Sequence, residues 1–529
     1  MTHDRMGDLI ASMPDSLSSK IIGKSERGNE IWLEVELASF ASVAAHVHNL
    51  WGASIVSLHA VDNRLATSDF KIIAVLALKG EDDYAVLLAS ADPLHPSFPS
   101  LAPEVPSAGW YEREMQDMLG LVPIGHPDPR PLVLYDDWPE GEFPLRKDFD
   151  GSKRVPRSPR PYPYRRVEGE GVFEIPVGPI HAGVIEPGHF RFSVAGEPIL
   201  NLELRLGYVH RGIEKLSERT PYHQGVLLAE RISGDNSFAH SLAYCQAVEA
   251  LAGAEVPGRA LFLRSAYAEL ERVHCLLGEV GGIALDVAFN VAAQHAYILK
   301  EKVLDLNDYL VGSRLLRGAN CLGGVRKDIP PEKAGPTLNE LIRLKFDIQD
   351  FSALVLGTQS VLDRTETTGV VAPETARDLD LVGPVARASG QDRDVRRDHP
   401  YAAYRQLSFR VPTRYEGDVH ARLLVKLEEL TESVSIVEQA LGNLPSGDIQ
   451  AELGGVPPER TAMSLVESPR GELVHWMISG EGGRPLRHKV RDASFHNWRA
   501  MEVAVIKDIV PDFPLINKSF SLSYSGSDL

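Results

Sequence analysis

Sulfur is scarce in this chain of 529 residues, which holds three cysteines, Cys245, Cys275 and Cys321. An odd number of widely spaced cysteines supplies neither a disulfide framework nor a CxxC metal site. Positive charge is also short. Lys and Arg total 55 against 73 Asp and Glu, a formal net charge of −18, and a surface with that field repels phosphate backbones, so no nucleic acid partner is expected. No apolar run approaches the roughly 18 residues that a membrane span needs. Met1 to Ser16 lack the apolar stretch of a secretory signal, so the expected location is the cytoplasm. Neither an HExxH zinc motif nor a GxSxG nucleophile elbow occurs, which leaves standard hydrolase chemistry unsupported. Gly23-Lys24-Ser25 resembles the end of a phosphate loop, but Ser18 stands where its earlier glycine belongs. Gly480, Gly482 and Gly483 approach a dinucleotide fingerprint that Pro485 then breaks.

What is present is the composition of a globular protein, 43% hydrophobic and 24% charged. The length allows about three domains, or two with one of them large. Residues 1–150 read as a small α/β domain. Leu37 to Trp51 has helical character, and the short apolar runs Ser54 to His59, Ile72 to Leu78 and Ala85 to Ala89 read as strands. Residues 151–170 form a linker, because Pro156, Pro159, Pro161 and Pro163 among six basic residues keep it extended. In residues 171–529, short β-like runs from Phe173 to Leu206 give way to apolar stripes at helical spacing. One stripe runs from Leu242 to Leu251 and stops at Pro257-Gly258; the next runs from Leu261 to Leu277 and stops at Gly281-Gly282. Further helices are expected over Ala296 to Leu310, Thr337 to Val355 and Gly417 to Leu441. The fold class is α+β: the small N-terminal domain, then a mainly helical bundle with a small β portion.

Two sets of motifs carry a family resemblance. Glu112 to Gly120, Gly125-His126-Pro127-Asp128, Asp136-Asp137-Trp138 and Pro144 to Phe149 together resemble the 30 kDa-type subunit of respiratory complex I. Gly178 to His181, Glu186 to Phe190, Tyr208 to Lys215, Ser237 to His240 with Ala243-Tyr244, Gly323 to Asp328, Val385 to Gly390, Asp394-Val395-Arg396 and Pro469 to Glu472 follow in order. These resemble the 49 kDa-type subunit of complex I and the related large subunit of membrane-bound, energy-converting nickel-iron hydrogenases. With both modules fused in one chain, the resemblance is to the formate-hydrogenlyase type of large subunit.

That family hangs its nickel-iron centre on two CxxC pairs, soft thiolates that suit a redox-active metal pair. Here the first pair falls on Ser233 and Asn236 and the second on Ser523 and Gly526. A serine hydroxyl stays protonated, an asparagine amide is neutral and glycine has no donor, whereas cysteine ionises near pH 8.5 and lower beside a metal. No metal is therefore expected at these positions. Cys245 and Cys275, on helix interiors, read as small core hydrophobes. The complex I branch places a quinone between a histidine and a tyrosine, but those positions fall on Ile185 and Gly234. His181, His189 and Tyr244 lie near in sequence and are the substitutes for a quinone cavity. By the same resemblance Arg211, Gly212 and Glu214 match an RGxE motif beside the metal centre. His240 matches the last position of CxxCxxxH. With Asp235 and Asn236, Glu214 and His240 form a candidate hard-ligand or proton-relay cluster.

The resemblance implies a subunit on the cytoplasmic, inner face of a membrane-bound complex, docked against an iron-sulfur small subunit and over antiporter-like membrane-arm subunits. It implies no directly bound cofactor, an iron-sulfur cluster in the partner, and coupling of a redox event to ion translocation without nickel-iron hydrogen turnover. Reduction of a quinone in the same cavity, as in NADH-quinone oxidoreductase, and a purely structural subunit stay open as alternatives.

Overall fold

The computed structural model describes residues 5–78, 82–152, 154–182 and 185–529. Residues 1–4 of the segment examined for a leader, and Lys153 of the linker, lie outside them. The chain forms two compact units. The first holds residues 1–165 with 205–210 and 378–380; the second holds residues 166–204, 211–377 and 381–529.

In the first unit, β-branched and aliphatic runs pair into a five-stranded sheet. Its strands are β1 (Ile21–Arg27), β2 (Glu30–Val35), β3 (Ser54–Asp62), β4 (Phe70–Ala77) and β5 (Tyr84–Ala91), in the order β1-β2-β5-β4-β3. β3 is buried along its whole length, and β2 and β5 run parallel. Helix α1 (Phe40–Trp51) buries Phe40, Val43, Ala44 and Val47, and Gly52 ends it with φ 57°, the left-handed cap that glycine adopts without strain. The three anticipated strands and the helix are all present. The β1-β2 hairpin was not anticipated, because β1 is mostly exposed and charged and shows no apolar alternation. Helix α2 (Gly109–Leu119) explains why its charged residues carry a signature: they are buried clasps. Glu112 accepts the Leu101 amide at 2.6 Å, Arg113 donates to the carbonyls of Arg130 and Pro131, and Asp117 accepts the amides of Leu132, Val133 and Leu134. Each backbone group so satisfied would otherwise be a buried, unpaired dipole.

The second unit is the helical bundle with β portions. A three-stranded sheet of β6 (Val172–Val177), β7 (His189–Ala195) and β8 (Ile199–Arg205) precedes the short helix α3 (Ile213–Ser217). The bundle is built from α4 (Ser237–Ala252), α5 (Gly258–Asp286), α6 (Asn290–Val311), α7 (Pro331–Leu356) and α8 (Val419–Gly442). α5 runs through Gly281 and Gly282, where the pattern suggested a stop. A Cβ on Gly281 would lie 2.8 Å from Tyr297 Cε1 and 3.1 Å from Ala296 Cβ, so this glycine lets α6 approach rather than ending the helix. A second sheet, β9 (Thr461–Ser468), β10 (Gly471–Ser479) and β11 (Pro485–Arg491), is antiparallel throughout. The chain closes with α9 (Ala493–Ala504), α10 (Phe513–Phe520) and α11 (Tyr524–Asp528). The β9-β11 sheet escaped the sequence reading because it buries Glu467, Glu472, His475, Arg487, His488, Lys489 and Arg491, residue types that a binary pattern assigns to the surface.

Candidate functional site

The four positions that the resemblance assigns to metal thiolates come together. Ser233 and Asn236 lie on the turn that enters α4, and Ser523 and Gly526 lie at the start of α11. Ser233 Oγ and Ser523 Oγ are 3.0 Å apart. Ser233 gives its proton to Asp235 Oδ1 at 3.0 Å, so the hydrogen bond between the serines is donated by Ser523. Ser523 Oγ in turn accepts the Gly526 amide at 2.9 Å and caps α11. Two hydroxyls thus hold together what two thiolates would hold through a metal. Asn236 is fully buried, and neither its amide nitrogen nor its oxygen has a partner among the described residues. Above Gly526 stands a carboxylate: a Cβ there would lie 2.7 Å from Asp492 Cγ and 2.9 Å from its Oδ2.

Charged groups frame this pocket. Arg470 pairs with Asp235 at 2.5 Å and also donates to the Ser521 carbonyl. Arg211 donates to the carbonyls of Arg231 and Ile232 on one segment and to that of Ser525 on the other, so one guanidinium clasps both. Glu271 accepts the Phe238 and Ala239 amides at 2.6 and 2.9 Å at the start of α4. Burial pushes its pKa up to about 8, against the pull of those two amides. Cys275 donates to the Asp235 carbonyl at 3.2 Å, and burial holds its thiol well above the ordinary value. It is a protonated neighbour of the pocket, not a thiolate. Cys245 belongs to a hydrophobic cluster with Tyr244, Val248 and Met477, and Cys321 is buried in a short strand.

The candidate residues do not form one cluster. His240 is at the pocket: its Nε2 lies 3.0 Å from Asp492 Oδ2 and its Nδ1 3.1 Å from His475 Nε2. Glu214 faces β11, where Arg487 at 2.7 Å, Lys489 at 3.3 Å and the Val490 amide at 2.9 Å hold it. Burial opposes its charge, but the two cations prevail and set its pKa at about 2. His181 stands beside the second segment, with Nε2 3.3 Å from Tyr524 Oη and its ring against Phe190. His189 begins β7 and is buried; desolvation lowers its pKa. Tyr244 lies in the hydrophobic cluster, its hydroxyl without a partner among the described residues and packed where a Cβ on Gly225 would be 1.9 Å away. Asp492, His475, His488 and Tyr524 were missed. Only His475 carries a sequence signal, a polar residue inside the apolar strand Leu473-Val474-His475-Trp476-Met477, which marks a buried group that must find a polar partner.

The donor set does not fit a nickel-iron centre. Two neutral hydroxyls bonded to each other, an amide and a glycine roofed by a carboxylate offer no bridging thiolate. Among the described residues, no group of three or more His, Cys, Asp or Glu is arranged to hold a metal ion.

Fold and site together define a large-subunit domain of the hydrogenase and complex I type, joined to a small α/β module, with serine, asparagine and glycine at the positions that the resemblance assigns to sulfur ligands. Residues 33–155 match the respiratory-chain NADH dehydrogenase 30 Kd subunit family, and residues 286–457 and 452–528 match the respiratory-chain NADH dehydrogenase 49 Kd subunit family. The chain is 33% identical over 536 residues to formate hydrogenlyase subunit 5 of Escherichia coli K12, covering 100% of this chain and 94% of that protein. It is 34% identical to hydrogenase-4 component G of the same organism, over 98% of this chain and 92% of the relative. Among solved structures it resembles a chain of the membrane-bound sulfane sulfur reductase, an archaeal respiratory membrane complex, with TM-score 0.64 and 29% identity over 68% of this chain and 99% of the other. The chain belongs to the family of fused 30 kDa- and 49 kDa-type subunits that contains these group 4 hydrogenase large subunits.

Proposed function

We propose that this protein is a peripheral-arm subunit of a membrane-bound, energy-converting complex related to respiratory complex I and the group 4 hydrogenases. Its work is to couple a redox event to ion translocation without turning over hydrogen at a nickel-iron centre. The observation that carries this reading is the Ser233–Ser523 hydrogen bond at 3.0 Å. The two ligand segments keep the family's convergence while their chemistry has changed from metal binding to hydrogen bonding. In this reading the electrons come from an iron-sulfur cluster in a partner small subunit, the chain sits on the inner face of the membrane, and antiporter-like subunits form the membrane arm. No helix of the described residues is long and apolar enough to cross a membrane, which suits attachment through partners. Purification of the native complex from membranes, with subunit identification, metal analysis and a hydrogen-uptake assay, tests this. Iron-sulfur and membrane-arm partners without stoichiometric nickel are expected; nickel with hydrogen uptake overturns it.

A second reading has one specific observation behind it. His181 and Tyr524 form a histidine–tyrosine pair at 3.3 Å within an aromatic group of Phe190 and Trp498. Such a pair donates the hydrogen bonds and protons that a quinone oxygen requires, and reduction of a quinone there would make this chain an oxidoreductase subunit. Quinone-dependent turnover lost in both His181→Gln and Tyr524→Phe supports it; turnover that survives both variants removes it.

A further inference from the structure

The pocket is continuous with a line of hydrogen bonds that the family's ligand positions do not include. Asp492 Oδ2 lies 3.0 Å from His240 Nε2, His240 Nδ1 3.1 Å from His475 Nε2, His475 Nδ1 3.0 Å from His488 Nε2, and His488 Nδ1 2.7 Å from Ser217 Oγ. None of the five residues is more than 2% exposed. A histidine kept for packing satisfies its ring on a backbone group or one neighbour. Here every ring nitrogen of three histidines is spent on another group that can give or take a proton. The line joins four elements: α4, β10, β11 and α3. It begins at the carboxylate over Gly526 and ends on the helix that carries Glu214, where Arg219, two residues past Ser217, is exposed.

The hydrogen bonds have one sense. Asp492 also accepts the Ser494 amide at 2.7 Å, and burial, which opposes its charge, is outweighed by its bonds to His240 and Ser494, so it is ionised. As a carboxylate it can only accept. His240 therefore donates from Nε2 to Asp492, and in the line proposed here its Nδ1 accepts from His475. The same assignment passes to His475 and His488, and Ser217 donates at the far end. Burial lowers His475 well below its ordinary value and His488 to about 3, so both rings are neutral and each is donor and acceptor at once. The charged groups around them, Glu214, Arg487 and Lys489, are paired with one another.

We propose that Asp492, His240, His475, His488 and Ser217 form a proton relay between the thiolate-free pocket and helix α3. This rests on the reading of the pocket as a working site of a coupled complex. In one passage the Ser217 O–H bond breaks as an N–H bond forms on His488 Nδ1. The Nε2–H bonds of His488, His475 and His240 break in turn as Nδ1–H bonds form on the next ring, and the last proton forms the O–H bond of Asp492. No electrons move, and the reverse passage carries the proton from Asp492 back to the Ser217 oxygen and resets the rings.

The full chain labelled with ¹⁵N-histidine tests the relay by ring NMR and hydrogen–deuterium exchange. The expected result is three neutral rings protonated on Nε2, whose ring protons exchange at one common rate. In His475→Gln the side-chain amide still bridges both neighbours but cannot pass a proton, and the exchange of His240 and His488 should separate by about tenfold or more. Ser217→Ala, which leaves the rings packed, should slow the common rate by a similar factor. Independent exchange rates in the unaltered protein, or unchanged exchange in both variants, overturn the relay. In the native complex, His475→Gln should lower ion-coupled turnover about tenfold and change its solvent isotope effect; normal assembly with unaltered turnover and isotope effect also overturns the relay. A native complex that shows no coupled turnover refutes the functional reading, while ring exchange still decides the relay.

Discussion

At position 526, which the resemblance assigns to a metal ligand, the surroundings leave no room for a side chain. Asp492 occupies the space into which a cysteine side chain would project, and its carboxylate is tied to His240 and the Ser494 amide. Restoring the thiol alone therefore forces atoms together. Gly526→Cys is expected to lose about 1–3 kcal/mol of stability, the usual cost of overpacking, as read by urea denaturation. Asp492→Gly in the same chain should recover part of that loss, a coupling that two independent sites would not show. Arg211 illustrates the complementary point. By sequence it belongs to a motif beside a metal; in the structure it bonds three carbonyls on two segments, so its work here is to hold the pocket together.

At the scale of elements, the β9-β11 sheet and the segments packed against it gather a network of buried charge. Glu269, Asp394, Glu429 and Glu467 meet Arg272, Arg387 and Arg396, all buried. Four carboxyls face three guanidiniums, and burial together with the nearby Asp394 raises Glu467 to about 7, so the surplus acid holds a proton near neutral pH. Arg387 bonds both Glu429 and Glu467. Arg387→Met should cost about 3–5 kcal/mol, because it strands carboxylates in the interior, and adding Glu467→Gln should return part of it in the same denaturation assay. The histidine line gives this region a second, acid-side dependence. His488 titrates at about 3 when folded, against an ordinary 6.5. Its contribution is fully present above pH 6.5 and is lost as the pH falls toward 3, since unfolding then takes up a proton. The slope is about 1.4 kcal/mol per pH unit for one proton. His488→Gln should flatten the stability–pH curve in that window by up to this amount and leave the neutral side of the curve unchanged; an unaltered slope would refute the assignment.

For the whole molecule, no helix of the described residues is long and apolar enough to cross a membrane, and the proposed function has the chain attached through partner subunits. Alkaline carbonate washing of native membranes should release this protein without detergent, followed by immunoblotting of both fractions, and retention in the washed membranes would contradict that. The two family matches were legible because long helical stripes and clustered charged motifs are local in sequence. The bundle helices appear close to where periodicity placed them, with α5 extended through Gly281 because a neighbouring helix, invisible to local pattern, needed the space. The β9-β11 sheet and the histidine line were illegible for a related reason. Residues 217, 240, 475, 488 and 492 lie far apart along the chain, His240 and Asp492 by 252 positions, and no periodicity links residues so far apart.

Sequence alone determined the family, and it assigned serine, asparagine and glycine to the expected thiolate positions: both are properties of residue identity in order, and no folding can ionise a glycine or turn a serine into a soft donor. Tertiary structure decided what meets at those positions. Only packing brings Ser233 to Ser523, sets Asp492 over Gly526 and lines up three histidines, because hydrogen bonds are made at about 3 Å between side chains that the chain order leaves far apart.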